Sequence, residues 1–145
     1  MPTAHNLSQG TRSSAVLALG TLASGTYVCS SAIDFGANAL PLSATFEIEL
    51  NPNGTPSGNK QLMLFAKWSL DNTNFGSGPE SGTTTTEEAD LDLIGVCPCN
   101  DTNDHRVLIS VAPKSRYFKL VAKNDLGVAL TSGNVYRADI TGYSA

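Results

Sequence analysis

The segment from Thr45 to Leu50 alternates strictly between polar and apolar side chains. In an extended chain, the apolar residues fall on one side and the polar residues on the other; the apolar ones are Phe46, Ile48 and Leu50. A period of two is typical of a β-strand with one buried and one solvent-exposed face. The buried face needs a second layer to cover it, so the segment predicts a packed β-sheet protein.

Further short strands, separated by turns, are predicted between Tyr27 and Ala145. We expect them at residues 26–30, 42–50, 60–70, 89–96, 106–112, 116–123, 128–131 and 134–142, and residues 15–22 form either a first strand or an apolar arm on the sheet. About eight strands at intervals of about 8–12 residues are typical of a sandwich or barrel. The sequence therefore predicts an all-β fold, a jelly-roll-like antiparallel β-sandwich, with an immunoglobulin-like sandwich as the alternative.

The chain of 145 residues has the length of one domain. Residues 1–14 are polar, contain Pro2 and Gly10 and lack any periodicity, which predicts an extended N-terminal arm. That arm is either a disordered terminus or a strap that becomes ordered on a neighbouring molecule. Residues 15–145 are predicted to form a single β-sandwich domain.

Charge and hydropathy narrow the classes of partner. The formal net charge is −4 and the nine basic residues are scattered, whereas a nucleic-acid partner requires clustered Lys and Arg. No run of 18 apolar residues occurs, so no membrane-spanning helix is expected. The odd count of three cysteines is typical of synthesis in a reducing compartment.

Two internal segments carry further information. The continuous apolar run from Leu62 to Ala66 predicts a strand that is buried on both faces or covered by a partner. Residues 76–88, which include Gly78 and Pro79, predict a long surface loop. Loops of this kind carry recognition more often than core residues do.

Candidate metal ligands are few. Cys97, Cys99 and His105 are close in sequence, but the one-residue spacing of the thiols is not that of a zinc site, and we expect them to point to opposite sides of an extended chain. The oxygen-rich segments Asp71–Asn74 and Asp101–Asp104 lack the glycine and glutamate of a calcium loop, and Asp and Asn are good turn formers. We therefore predict turns and buried cysteines, with no metal and no cofactor.

No constellation of catalytic residues is recognisable. The sequence lacks a Gly-x-Ser-x-Gly elbow, and its two histidines are His5, in the arm, and His105. Glu47 and Glu49 could imitate a glycosidase carboxylate pair, but their alternation with apolar residues favours a solvent-facing strand surface. We predict no catalytic residue and no enzymatic activity.

Two segments carry a resemblance to a known family. Residues 68–75 read W-S-L-D-N-T-N-F and residues 115–120 read S-R-Y-F-K-L. A strand that ends in the first pattern and is followed by the second resembles the capsid decoration or cement proteins of tailed bacteriophages, which have a jelly-roll fold. The resemblance extends loosely from Leu42 to Tyr143.

The resemblance implies a virion structural protein that is made in the host cytoplasm and binds the outer surface of the capsid. Its partner would be the major capsid protein, and the protein itself would form a homodimer or homotrimer that stabilises the shell. The family has no catalytic residues to transfer to this chain. Many weak contacts repeated over a shell would add up by avidity.

Polarity and position in the arm or in long loops predict the following capsid contacts: Thr3, His5, Asn6, Arg12, Asn53 and Gly78. Two other functions stay open, a tail or baseplate component and a carbohydrate-binding sandwich. In the second, Trp68 would stack on a sugar. The alternation of the strand instead places Trp68 in the core, on the same face as Leu62 and Leu64.

Overall fold

A computed structural model describes residues 5–37 and 39–144, and these ranges contain β-strands, one turn of 3-10 helix at Glu88–Asp90 and no α-helix. Thr3, a predicted contact residue, lies outside them. No helix of the described ranges has the length and apolar character needed to cross a membrane. The ten strands are β1 His5–Gln9, β2 Leu17–Ala18, β3 Tyr27–Cys29, β4 Ile33–Asp34, β5 Ser43–Pro52, β6 Gln61–Ser69, β7 Asp92–Pro98, β8 His105–Val111, β9 Tyr117–Asp125 and β10 Leu130–Ser144.

The strands form two antiparallel sheets that pack as a sandwich. Sheet A has the order β1-β10-β5-β8, and sheet B has the order β3-β9-β6-β7. The strands occupy four positions in each sheet. β2 shares the position of β1 beside β10, and β4 shares the position of β3 beside β9. From β5 to β10 the chain crosses between the sheets at every connection except β6–β7. This is the strand order of a jelly roll, and it confirms the predicted architecture.

The main core lies between the two sheets. The apolar residues of β5 all point into it, and Phe46, Ile48 and Leu50 are at most 1% exposed. Leu64 and Phe118 face them from sheet B in the same cluster. Burying an aliphatic or aromatic side chain of this size stabilises the fold by about 1.5–3 kcal/mol. The alternation from Thr45 to Leu50 thus defines the inner and outer faces of sheet A as predicted.

A second apolar cluster lies on the outer face of sheet B. It contains Tyr27, Phe65, Leu91 and Val121, with Met63 packed against it. The connection between β6 and β7, residues 70–91, runs over this face, and its backbone bridges to Tyr27 at Gly82. The apolar run in β6 is therefore buried on both sides, as its composition predicted, and the cover comes from the same chain.

The N-terminal segment is extended and lies along its own sheet. β1 pairs with the last residues of β10, from His5 opposite Ser144 to Gln9 opposite Ile140. Beyond β1, the N–H groups of Gly10, Ser13 and Val16 donate to carbonyls of β10 at 2.8 Å. Residues 5–16 thus form the outer edge of sheet A.

The turn at Asn124–Gly127 joins strands of different sheets. β9 belongs to sheet B and β10 to sheet A, so the turn carries the chain from one layer to the other. The Asn124 side chain is fully buried and its amide nitrogen donates to the carbonyls of Leu22 and Val128 at 2.8 and 2.9 Å. Its oxygen accepts from the N–H of Leu126 at 2.9 Å, so one side chain holds the crossover together.

Candidate interaction surfaces

The outer face of sheet A carries a network of four charged side chains. Glu47 and Glu49 of β5 lie beside Arg106 of β8, whose two terminal nitrogens contact one carboxylate each at 2.7 Å. Arg12 contacts the same Glu47 oxygen at 2.6 Å. The two glutamates therefore face solvent, as their alternation predicts, and each is paired with arginine.

Arg12, a predicted capsid contact, has partners within its own chain. Its guanidinium lies 3.5 Å above the centre of the Tyr136 ring, which belongs to β10. The hydrogen bond to Glu47 raises the pKa of Arg12 above its ordinary value. The Arg12 side chain remains about half exposed, so it is fixed in place at the surface.

The predicted contact residues do not form one surface. His5 and Asn6 lie at the start of β1, opposite Ser144 and Tyr143, and the side chain of Asn6 is exposed. Asn53 is also exposed, but it follows β5 at the other end of sheet A, where its N–H donates to the carbonyl of Ala129 at 2.8 Å. The arm and this loop therefore present separate surfaces at opposite ends of the sheet.

Gly78, the remaining predicted contact, lies in the connection over sheet B. Its φ of 122° belongs to the region that favours glycine, and an added Cβ would come within 2.5 Å of the Leu91 side chain. Its carbonyl accepts a hydrogen bond from Lys67 at 3.0 Å. Gly78 is thus positioned by the packing of the loop on the sheet.

Ion pairs hold this loop against the sheet. The Glu80 carboxylate contacts Lys67 of β6 at 2.7 Å and Lys119 of β9 at 3.2 Å. The hydrogen bond from Lys67 lowers the pKa of Glu80 below its ordinary value. Glu88 contacts Lys123 of β9 at 2.8 Å. The loop is therefore a fixed cover of the second apolar cluster.

Complementary charges in the sequence indicate that this loop covers the outer face of sheet B. Lys67, Lys119 and Lys123 share the outer face of sheet B with Phe65 and Val121. The cross-strand partners Lys67 and Lys119 are adjacent like charges, and such a pair needs an acidic neighbour. The loop from Gly76 to Glu88 supplies Glu80, Glu87 and Glu88. Complementary charge could therefore have placed it on this face.

Trp68 lies at the rim of the core, and a surface depression of about 280 Å³ opens beside it. The indole packs against Phe118 with ring centres 5.4 Å apart, and its N–H donates to Asp92 at 2.8 Å. The ring is partly buried and contacts the main core, as the alternation predicts. The indole N–H and the part of the ring that packs on Phe118 are thus occupied by contacts within the protein.

The depression beside Trp68 is lined by a turn whose polar groups serve the backbone. Asp71 accepts hydrogen bonds from the N–H groups of Thr73 and Asn74 at 2.9 and 2.8 Å. These bonds, with the one from the Asn74 side chain, hold the pKa of Asp71 well below its ordinary value. Asp101 likewise accepts from the N–H of Asn103 at 2.9 Å. Both segments are aspartate-capped turns, as predicted.

The three cysteines are free thiols. Cys97 and Cys99 both lie in the main core, because residues two apart in a strand face the same side. The expectation that they point in opposite directions was wrong. Burial raises the pKa of the Cys97 thiol to about 12. In the described part of the chain, no group of three His, Cys, Asp or Glu side chains is arranged to hold a metal ion.

No protein-family model matches this chain, and no curated protein matches it.

Proposed function

We propose that this protein is a virion structural protein that binds the outer surface of a phage capsid and stabilises the shell. Its partner is the major capsid protein. The observation that carries the proposal is the combination of a jelly-roll body with an extended, polar N-terminal segment at its edge. The resemblance of residues 68–75 and 115–120 to decoration proteins points in the same direction.

The surface favours broad contacts over capture of a small ligand. The depression beside Trp68 has a volume of about 280 Å³, and two others measure about 150 and 250 Å³. All three depressions are smaller than the pockets that usually enclose a small molecule, which measure about 300–1,000 Å³. The outer face of sheet A is a strand surface whose charges are already paired. A protein with such a surface is suited to binding a large partner through the faces and edges of its sheets.

Both sequence segments that carry the resemblance have structural roles. Residues 68–75 close the end of β6 through the Asp71 turn. In residues 115–120, Phe118 and Leu120 are buried in the core and Arg116 pairs with Asp34 at 2.7 Å. The shared pattern therefore concerns how the sandwich is built, which supports a common fold and leaves the capsid contacts to other residues.

The N-terminal segment is the part that we assign to the capsid. The side chains of residues 6–12 are all exposed, although the backbone is anchored to β10. An anchored segment at a sheet edge presents its exposed side chains to a partner in a fixed arrangement. The segment buries no core side chain before Leu17, so the sandwich does not depend on it for its apolar core.

The test is co-sedimentation of the purified protein with expanded heads that lack it. We expect saturable binding by the full chain and at least a tenfold weaker binding after deletion of residues 1–14. The matched control is Thr102→Ala, which changes the exposed loop before β8 at the opposite end of sheet A. Undiminished binding by the truncated chain would contradict the role of the arm, and no binding by the full chain would contradict the proposal.

A carbohydrate-binding module is the second candidate, and the depression beside Trp68 is the observation that favours it. Stacking requires an open aromatic face, whereas this indole packs on Phe118. Titration with a panel of mono- and oligosaccharides while the Trp68 fluorescence is recorded tests this candidate. A saturable shift of the Trp68 emission, together with binding that calorimetry detects for wild type and not for Trp68→Phe, would support the sugar-binding function over the capsid function.

A further inference from the structure

Among the described strands, three of the four sheet edges are built in ways that discourage pairing with another chain. β7, at one edge of sheet B, contains a register shift at Leu93–Gly95 and ends at Pro98. The opposite edge of sheet B is divided between the short strands β3 and β4. In sheet A, the edge beside β10 is divided between β1 and β2. Short, bulged or proline-terminated edges resist pairing with other chains.

β8 is the exception among the described edges. Its seven residues pair with β5 without a register shift, and they include neither glycine nor proline. Alternate residues of such an edge strand direct their N–H and C=O groups away from the sheet, where they are free to form a second ladder. The one charged side chain that could discourage pairing, Arg106, is held by Glu47 and Glu49.

This edge is also apolar. Leu108, on the outer face, is 65% exposed. On the inner face, Val107, Ile109 and Val111 pack against the main core but remain only partly buried. Ile109 lies against Gly95 of β7, the facing edge of sheet B. An added strand would cover Leu108 and the parts of Val107 and Val111 that stay exposed.

The sequence of β8 is compatible with pairing to itself. Leu108 is the central residue of His105–Val111, so a two-fold axis through it opposes Leu108 to Leu108 of a second copy. The same axis places Arg106 opposite Ser110 and Val107 opposite Ile109. No like charges meet, and the outward-facing hydrogen-bonding residues of one strand oppose those of the other.

We propose that β8 is a self-association edge: two copies pair through antiparallel β8 strands about a two-fold axis at Leu108. Sheet A then continues from one protomer into its partner. The contact is isologous, so it closes as a dimer. A single strand pair buries little area, and the dimer is therefore concentration-dependent. This inference stands independently of the capsid proposal.

Cross-linking tests the register. Directly opposed residues have Cβ atoms about 4.5–5.5 Å apart. We expect Leu108→Cys to form a disulfide-linked dimer under mild oxidation. Ser110→Cys is the matched control, because its own copy in the partner lies about 13 Å away along the strand. Wild-type protein controls for Cys29, Cys97 and Cys99. Equal cross-linking of both variants, or of neither, would overturn the proposed pairing.

Sedimentation analysis tests the association itself. We expect wild-type protein to approach twice the 15.2 kDa chain mass as its concentration rises. Leu108→Asp should raise the dimer dissociation constant at least tenfold, since it opposes two carboxylates on the axis. Leu70→Asp is the control, because Leu70 is 88% exposed and follows β6 in sheet B. A wild-type chain that stays monomeric up to about 1 mM, or equal weakening by both variants, would overturn the proposal.

Discussion

The Lys67 ammonium lies 2.7 Å from the Glu80 carboxylate, and together they join the β6–β7 loop to the outer face of sheet B. The Lys67 side chain is 7% exposed, and its other partner is the carbonyl of Gly78. A buried ammonium needs such partners, because leaving it unpaired is costly. The loop is therefore held in place by the hydrogen-bond partners that Lys67 requires, as well as by the apolar contact of its own Leu91.

Glu80→Gln should destabilise the protein. The change removes the negative charge between Lys67 and Lys119 while keeping the size of the side chain, and we expect the free energy of unfolding to fall by about 1–3 kcal/mol. Urea denaturation measures this value. Glu87→Gln, at an exposed position of the same loop, is the matched control and should change it by less than about 0.5 kcal/mol. Equal effects of the two variants would contradict the anchoring role of Glu80.

The same pair makes stability depend on pH. The pKa of Glu80 lies below its ordinary value of 4.5 in the folded protein, mainly because of the hydrogen bond from Lys67. Its contribution to stability is therefore fully present above about pH 4.5 and is lost as the pH falls through the lowered pKa. Urea midpoints measured between neutral pH and the acid limit should decline less steeply for Glu80→Gln than for wild type. Parallel profiles for the two proteins would show that Glu80 has the same pKa in the folded and unfolded states, which would contradict the prediction.

Gly78→Ala tests whether Gly78 is a structural residue of the loop. The added Cβ would approach Leu91 to 2.5 Å at a φ of 122°, and we expect a loss of about 1–3 kcal/mol in the free energy of unfolding. Gly76→Ala is the control, since a Cβ there has no atom within 4 Å and its φ is not positive. Thermal denaturation compares them. A Gly78→Ala protein as stable as Gly76→Ala would mean that the loop tolerates displacement.

Asn124→Ala should be among the more damaging changes. It leaves the carbonyl of Val128 and the N–H of Leu126 without their side-chain partner, and each such group costs about 1–3 kcal/mol, whereas the carbonyl of Leu22 still accepts from the N–H of Leu130 at 3.1 Å. We expect a total loss of at least about 2 kcal/mol. Asn59→Ala, which removes an exposed hydrogen bond to Asp125, should cost less than about 1 kcal/mol. Denaturant titration would refute the prediction if the two losses were similar.

Much of the strand framework follows from local patterns. The alternation at Thr45–Leu50 correctly predicted β5, because a period of two fits a strand with one buried face. The apolar run at Leu62–Ala66 correctly predicted β6, because a continuous apolar run fits a strand that is buried on both faces. The predicted break between residues 131 and 134 became a register shift within β10, between Leu130 and Ser132. A bulge and a strand end look alike in sequence, since both interrupt the alternation.

The interaction surfaces were less predictable. Polarity and loop position selected Arg12 and Gly78, but Arg12 lies on Tyr136 and Gly78 carries a lysine contact. Those roles depend on which residues the topology places side by side, and sequence spacing does not contain that information. The apolar edge at Leu108 is not predictable from sequence for the same reason. Its exposure depends on β8 being the last strand of sheet A.

We propose that the protein is a component of the phage particle and is bound to the head. The most direct measurement is density-gradient separation of particles from a lysate in which the protein is made, probed for the 15.2 kDa chain. We expect co-migration with intact heads at a fixed, high copy number and depletion from tail fractions. Absence of the chain from every particle fraction would contradict it.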